Sequence, residues 1–320
     1  MSLIKTYSKY IKIALIIALF FIGGSFVPNF LKIGNLLNVV RQCSIIAICA
    51  VGVTMVIIIK GIDLSVGGNV SCCGMITGLM LLNGASVVVA MLAGLASGIV
   101  FGLITGLIVA KLEVPAFIST LVIGQITQGL AFLMNGGRSF GGFPESFVFL
   151  GNGNLFSVPI SNYVMVIFVV AGIFVMAKLP IGGRIYGLGG NEQVLKNKGI
   201  NTSRIKVFVF AASGFCSAAA GILLASQLDT VHPMQGEPYQ LDAIAACVIG
   251  GVNMAGGEGK VGFSLVGALV IGSMRNALNL LGVHPFYQNI FVGAIIITVV
   301  AITMLSRLRR QTTSKFAVGD

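Results

Sequence analysis

Apolar stretches, each close to the length that crosses a lipid bilayer, are the feature that most constrains this chain. A transmembrane helix needs about 20 consecutive apolar residues, and the sequence has such stretches along its whole length. We place spans at residues 11–27, 43–60, 68–83, 86–110, 115–135, 161–178, 207–227, 238–254, 260–281 and 286–305. The prediction is an all-α polytopic membrane protein with about ten transmembrane helices, forming a single transmembrane domain over residues 1–320.

Composition and charge support this class. Hydrophobic residues make up 56% of the chain and charged residues 9%, whereas soluble domains are about one quarter charged. Most of the 20 Lys and Arg residues fall in loops that the ten spans place on one side; the exceptions are Lys32, Arg41, Arg138 and Arg275. The positive-inside rule then predicts that both termini are cytoplasmic. It also explains the net charge of +11 without a nucleic-acid partner.

The sequence contains no constellation typical of an enzyme or a metal site. Its six cysteines lie in or beside apolar runs without C-x-x-C spacing, and only two histidines are present. We therefore expect buried free thiols rather than disulfides or bound metal. The nearest approach to a P-loop, Ala255–Val261, lacks the first glycine and the final Ser or Thr. We expect no cofactor in this chain, and any ATP-driven work would need a separate subunit.

Two sequence patterns concern helix packing and internal symmetry. The fourth predicted span has a glycine at every fourth position (Gly94, Gly98, Gly102 and Gly106), which predicts a groove where another helix packs closely. Gly61–Gly78 resembles Gln240–Gly257, and Val114–Gly124 resembles Val283–Gly293. The ten-span topology orients these copies oppositely. An inverted repeat with short spans is typical of transporters.

Polar residues in or beside the spans are candidates for a translocation pathway, because intramembrane acids and amides are costly. The two acids at helix starts have two interpretations, either capping the next helix or contacting substrate. The amides likewise either bond helices together or line the pathway, and we expect Arg275 to snorkel or to pair with an acid. The candidate pathway residues are Asp63, Ser65, Gln125, Gln128, Asp242, Asn276 and Asn279.

The longest polar interruption is Leu179–Lys206, which we call the coupling segment. It contains five basic residues and one acid, Glu192, between two apolar runs. A basic segment between spans is predicted to be cytoplasmic. Charge alone does not explain its dense glycines around Asn191, and we interpret residues 179–206 as a contact for a soluble partner.

Five motifs together closely resemble the ribose-type sugar permease family of bacterial ATP-binding-cassette (ABC) importers. They are GIDLSVGG (Gly61–Gly68), PAFISTL (Pro115–Leu121), GRIYGLGGN (Gly183–Asn191), YQLDAIAACVIGG (Tyr239–Gly251) and NALNLLGV (Asn276–Val283). The resemblance implies a multi-pass protein of the bacterial inner membrane that acts with a second permease copy. It also implies a cytoplasmic ABC ATPase, which uses ATP and Mg²⁺, and a periplasmic or lipid-anchored sugar-binding protein. The residues it places in ATPase coupling are Gly183, Arg184, Tyr186, Gly189, Gly190, Asn191, Gly199 and Ile200.

The predicted function is a permease that moves ribose or a related monosaccharide into the cell by alternating access. Another pentose, a hexose or a sugar-like signalling molecule stays open as the substrate. Two other classes stay open from the residues: an ATP-independent secondary carrier and a non-transporting, receptor-like membrane subunit. A proton-coupled carrier would be expected to hold an acid in mid-span, and neither Asp63 nor Asp242 has that position in the predicted spans.

Overall fold

The computed structural model describes residues 24, 26–295, 297, 298 and 301, and its described part is almost entirely helical. Eleven helices have both ends within the described residues, and a twelfth, α12, begins at residue 285. Six of them are long and apolar enough to cross a membrane: α1, α3, α4, α6, α9 and α11. In chain order the helices are α1 Ile33–Ile58, α2 Val66–Leu82, α3 Val87–Lys111, α4 Ala116–Met134, α5 Glu145–Asn152, α6 Ile160–Lys178, α7 Pro180–Gly190, α8 Glu192–Asn197, α9 Thr202–Leu228, α10 Glu237–Ile249 and α11 Val261–Leu280.

Most predicted spans correspond to a helix, with two differences. Helix α1 begins at Ile33 instead of residue 43, because its polar first turns find partners: the Asn35 amide donates to Asn276 Oδ1 at 2.9 Å. The span predicted at 238–254 is wrong in extent, because α10 ends at Ile249. Its 13 residues rise only about 20 Å. The span predicted at 11–27 lies mostly outside the described residues, as does the end of 286–305.

The predicted glycine groove on α3 is confirmed. A Cβ atom added at Gly98 would lie 2.5 Å from the carbonyl oxygen of Gly214, and one at Gly102 would lie 2.4 Å from that of Phe210. These are backbone atoms of α9 that cannot rotate away. Glycine therefore allows α3 and α9 to pack backbone against backbone, as small residues do in membrane helices.

The packing of the helices repeats within the chain. Helix α9 packs against α1, α2 and α3, while α1 packs against α9, α10 and α11. The pairs α2–α3 and α10–α11 are also in contact. If α1, α2 and α3 are exchanged with α9, α10 and α11 in that order, each of these helix contacts is replaced by a contact that the structure also has. The motif alignment is less regular, because Asp63 precedes α2 whereas Asp242 lies inside α10.

Charged residues are distributed unequally between the two ends of the helix bundle. At one end α7, α8, the start of α9 and the end of α1 come together, and Gly257 N donates to Ile58 O at 2.8 Å. We call this the basic end, since its described Lys and Arg residues are Lys60, Lys111, Lys178, Arg184, Lys196, Lys198, Arg204, Lys206 and Lys260.

Four two-residue strands lie at the opposite end of the bundle. Strand β1 (Phe140–Gly141) pairs with β4 (Thr230–Val231). Strands β2 (Asn154–Leu155) and β3 (Val158–Pro159) form a hairpin that leads directly into α6. The chain therefore places all of its described strand pairs on the side away from the coupling segment.

Candidate functional site

The coupling segment folds into two short helices at the basic end. Helix α7 begins with Pro180 at its first position, where the missing N–H costs nothing. Asn191 ends α7 and caps α8, because its side-chain oxygen accepts from Gln193 N at 3.0 Å and Val194 N at 3.3 Å. Asn191 thus fixes the turn between the two helices, and the local sequence explains the shape of the segment.

One face of α7 is pressed against the rest of the protein. A Cβ atom at Gly189 would lie 1.7 Å from the carbonyl oxygen of Ile58, the last residue of α1. The Tyr186 hydroxyl donates to Gly259 O at 2.8 Å, in the loop between α10 and α11. Burial raises the pKa of this tyrosine above its ordinary value of 10. The inner face of α7 therefore contacts both the end of α1 and the 250–260 loop.

The opposite face of the segment is exposed. Gly183, Arg184, Gly190, Asn191 and Gly199 all lie on the surface, and a Cβ atom at any of these three glycines would meet open space. The eight residues predicted to couple to the ATPase thus divide into two groups. These five face outward, whereas Tyr186 and Gly189 face the membrane helices and Ile200 packs half-buried against the core.

Glu192 joins α8 to the start of α9. Its Oε1 lies 3.3 Å from Lys196 Nζ and 3.0 Å from Lys206 Nζ, and it accepts from the Thr202 hydroxyl at 3.0 Å. Burial by itself raises the pKa of Glu192, but these hydrogen bonds and charges outweigh it and lower the pKa below 4.5. The carboxylate is therefore charged at neutral pH and holds α8 against the start of α9.

A cavity of about 470 Å³ opens at the basic end, between this segment and the α3–α4 loop. Charged side chains of both signs line it: Lys60, Lys196, Lys206, Glu113 and Glu192. Its remaining wall is apolar. The cavity separates the coupling segment from the start of α4, so it leaves room for the two to move relative to each other.

Two of the predicted pathway residues line a second cavity, which has a volume of about 390 Å³ and lies between α2, α4 and α10. Gln125 and Gln128 contribute from α4, and Gln240 and Glu237 contribute from α10. The amide of Gln128 donates to the Pro233 carbonyl. The sequence does not single out Gln240 and Glu237 as pathway residues, because polar side chains at the start of a short helix look like those of an ordinary helix end.

Asp63 and Ser65 do not line this cavity but form a buried network beside it. Asp63 Oδ1 accepts from Ser65 N at 2.9 Å and from Ser65 Oγ at 2.6 Å, and Oδ2 accepts from Ser213 Oγ at 2.6 Å. Ser65 is the N-cap residue of α2. Asp63 therefore holds the start of α2 against α9. It does not cap the free N–H groups of α2, so the capping alternative is wrong for this residue.

Asp242 does not cap a helix either, because it lies inside α10. Its carboxylate accepts two hydrogen bonds of 2.7 Å from Arg275 on α11, so of the two alternatives expected for Arg275 the structure has the pairing with an acid. The pair borders a third cavity of about 380 Å³, whose lining includes Asn279 but not Asn276. Asn276 accepts from Asn35 at 2.9 Å and Asn279 accepts from Gln288 at 2.6 Å, so both amides bond helices together.

No cluster of three or more His, Cys, Asp or Glu residues suited to a metal ion occurs within the described ranges. All six cysteines are free and buried, as predicted. The polar side chains at these sites can form reversible hydrogen bonds. The cavities beside them leave room for helices to move.

The chain is similar in sequence to known membrane permeases. The family model described as "Branched-chain amino acid transport system / permease component" matches residues 35–300. The chain is 42% identical to the ribose import permease RbsC of Haemophilus influenzae over 277 residues, 85% of this chain and 86% of the relative. It is 33% identical to the L-arabinose transport system permease AraH of Escherichia coli, over 96% of this chain and 94% of the relative. It is 31% identical to the D-allose transport system permease AlsC of the same organism, over 93% and 91%. No solved structure matches the chain.

Proposed function

The chain belongs to the family of branched-chain amino acid transport system permease components and, within it, to the ribose-type ABC permeases, and we propose that it moves ribose or a closely related monosaccharide inward. It is the membrane subunit of a sugar ABC importer and a multi-pass protein of the bacterial inner membrane. It is a transport subunit rather than an enzyme, and its family acts with an ATPase and a periplasmic binding protein. Ribose is our choice because the ribose permease named above is more similar to this chain than the arabinose and allose permeases are.

The ATPase docks, in this proposal, on the exposed face of the coupling segment at the cytoplasmic basic end. Both chain termini lie on that side, and ATP and Mg²⁺ bind to the ATPase alone. The observation that carries the proposal is the two-sided construction of α7. Its inner face contacts backbone at Gly189, while Arg184 and Asn191 are exposed for a partner. A rigid contact on one side and a free surface on the other suit an element that transmits movement.

The movement reaches the sugar pathway through the 250–260 loop. Tyr186 joins α7 to this loop at Gly259, and the loop is the continuation of α10. Helix α10 in turn lines the 390 Å³ cavity with Gln240. A displacement of α7 by the ATPase would therefore shift α10 against Gln125 and Gln128 of α4 and change access to the cavity.

The cavity amides suit a neutral sugar, because side-chain amides both donate to and accept from hydroxyl groups. A net contribution of about 1 kcal/mol per hydrogen bond gives weak binding, as a translocation pathway requires. A second copy of the permease completes the pathway in this proposal. The two copies form a homodimer around it, each contributing Gln125 and Gln128.

Reconstitution with the ATPase and the binding protein tests both the ATPase docking surface and the sugar pathway. We expect the combined Arg184→Ala and Asn191→Ala variant to lose ATPase association and ATP-driven uptake, while Lys178→Ala, at the exposed end of α6 and outside the segment, retains them. Replacing Gln125 and Gln128 by leucine is expected to reduce uptake while ATPase association persists. Normal uptake by both variants would refute the assignment, and uptake abolished by a protonophore at constant ATP would indicate a secondary carrier instead.

A further inference from the structure

The β2–β3 hairpin carries a large aromatic side chain at its tip. Phe156 is 88% exposed, and it and Ser157 both have left-handed backbone conformations with φ values of 49° and 63°. Such two-residue turns favour Asn and Gly, because a bulky side chain is strained at positive φ. The hairpin therefore holds a phenylalanine in an unfavourable conformation with almost no protein contact to compensate for it.

The depth of this hairpin follows from the length of α6. Its 19 residues, Ile160–Lys178, rise about 28 Å, which matches the roughly 30 Å hydrocarbon core of a bilayer. Lys178 lies at the basic end, so Ile160 lies near the other membrane boundary. The hairpin ends at Pro159, which places Phe156 in the interfacial layer at the opposite end.

The side of α6 on which the hairpin lies follows from one hydrogen bond. The exposed large side chains of α6 recur at helical spacing and form an apolar stripe that faces lipid: Tyr163, Val166, Ile167, Val170, Ile173 and Phe174. The Tyr163 hydroxyl donates to Leu155 O at 3.1 Å. The hairpin is therefore bonded to the lipid-facing stripe itself, and it continues that surface.

We propose that the β2–β3 hairpin is a membrane-interface anchor, with the Phe156 ring inserted between lipid headgroups and upper acyl chains. Leu155, the preceding residue in the hairpin, is also 49% exposed. Phenylalanine, tryptophan and leucine are the side chains that interfacial segments bury at the boundary between headgroups and acyl chains. Burial of the Phe156 ring in lipid is favourable and offsets the strain of the turn. A ring exposed to water would leave that strain uncompensated. The anchor fixes the height of α5 and α6 in the bilayer.

Tryptophan fluorescence tests the proposal, because the chain contains no tryptophan and one introduced residue gives the whole signal. Phe156→Trp is reconstituted in vesicles whose lipids carry bromine near the glycerol end or deep in the acyl chains. Ile167→Trp, in the middle of the α6 stripe, is the deep-lipid reference. Lys198→Trp, in the exposed coupling segment, is the water reference.

We expect Phe156→Trp to emit at shorter wavelength than Lys198→Trp and to be quenched more by shallow bromine than by deep bromine. Ile167→Trp should show the reverse preference. Leu155→Trp, at the neighbouring position of the same hairpin, is a second reporter of this depth if the first variant folds poorly. Acrylamide quenching of Phe156→Trp equal to that of Lys198→Trp, with no bromine effect, would overturn the proposal. Loss of bromine quenching when the sugar-binding protein is added would also overturn it, because the ring would then contact protein.

Discussion

Replacing Gly189 by alanine is the sharpest perturbation of the coupling segment. The added Cβ would lie 1.7 Å from Ile58 O and 2.5 Å from Gly257 N, whereas ordinary contacts begin at 3.4 Å. Both atoms belong to the backbone, and they are hydrogen-bonded to each other at 2.8 Å. Neither can rotate away, so the end of α7 must withdraw from α1.

The cost can be bounded from known effects. Overpacking a well-packed interior costs about 1–3 kcal/mol, and distorting the Gly257–Ile58 hydrogen bond adds about 1 kcal/mol. Alanine also stabilises the helix itself by up to about 1 kcal/mol, because it favours the helical conformation more than glycine does. The net destabilisation is therefore about 1–3 kcal/mol. For a chain of this size that lowers the melting temperature by roughly 1–5 °C.

The chain supplies its own probe for the measurement. Its six free cysteines are all buried, so a maleimide dye that fluoresces on reaction reports unfolding of the detergent-solubilised protein. The matched control is Gly183→Ala in the same helix, where the added Cβ meets open space. We expect Gly183→Ala to melt at or above the wild-type temperature, and Gly189→Ala to melt below it and to lose sugar uptake.

A melting temperature and an uptake rate of Gly189→Ala equal to those of the wild type would refute the reasoning. That result would mean that α7 does not press on α1 as described. If Gly189→Ala melted at a lower temperature but kept normal uptake, α7 would pack against α1 as described, but this contact would not be needed to transmit movement.

Three further outcomes follow from the other contacts. Asp242→Asn leaves Arg275 without its buried partner and should cost about 3–5 kcal/mol, whereas Asp242→Leu combined with Arg275→Met should cost much less; thermal unfolding compares them. Gly102→Ala, whose Cβ would lie 2.4 Å from the α9 backbone, should lower the melting temperature relative to Gly129→Ala, where the Cβ meets nothing. Glu192 has a pKa below its ordinary 4.5, so its contribution is present above pH 4.5 and is lost as the pH falls through the lowered value. The melting-temperature difference between wild type and Glu192→Gln should disappear over that range, and a constant difference would contradict the role of its charge.

The positions of most spans could be predicted from hydrophobicity, because bilayer thickness alone sets the length of an apolar helix. The start of α1 could not be predicted in this way. Its first turns contain Asn35 and Arg41, and a polar side chain in a helix is indistinguishable from a loop residue until its partner is known. Asn35 meets Asn276 and Arg41 meets Asn152, each more than 100 residues away. Such long-range pairs leave no local signal in the sequence.

The sequence could predict which residues belong to the coupling segment, but not which of them are buried and which are exposed. Motif resemblance identified Tyr186 and Gly189 together with Arg184, but it could not tell the inner face of α7 from the outer one. That distinction depends on the 250–260 loop, whose backbone carbonyl at Gly259 accepts from Tyr186. The capping interpretation of Asp242 is wrong for a related reason, since its guanidinium partner lies on the next helix.

The contact between α3 and α9 has a consequence for how the protein is made. The glycines of α3 are synthesised about 100 residues before the α9 backbone that fills their groove. At roughly 5–20 residues per second, the groove of α3 waits about 5–20 s for its partner during translation. Lipid or the insertion machinery must cover the bare backbone in that interval. The order of synthesis, and not only the final packing, therefore determines which surfaces a nascent chain of this fold exposes.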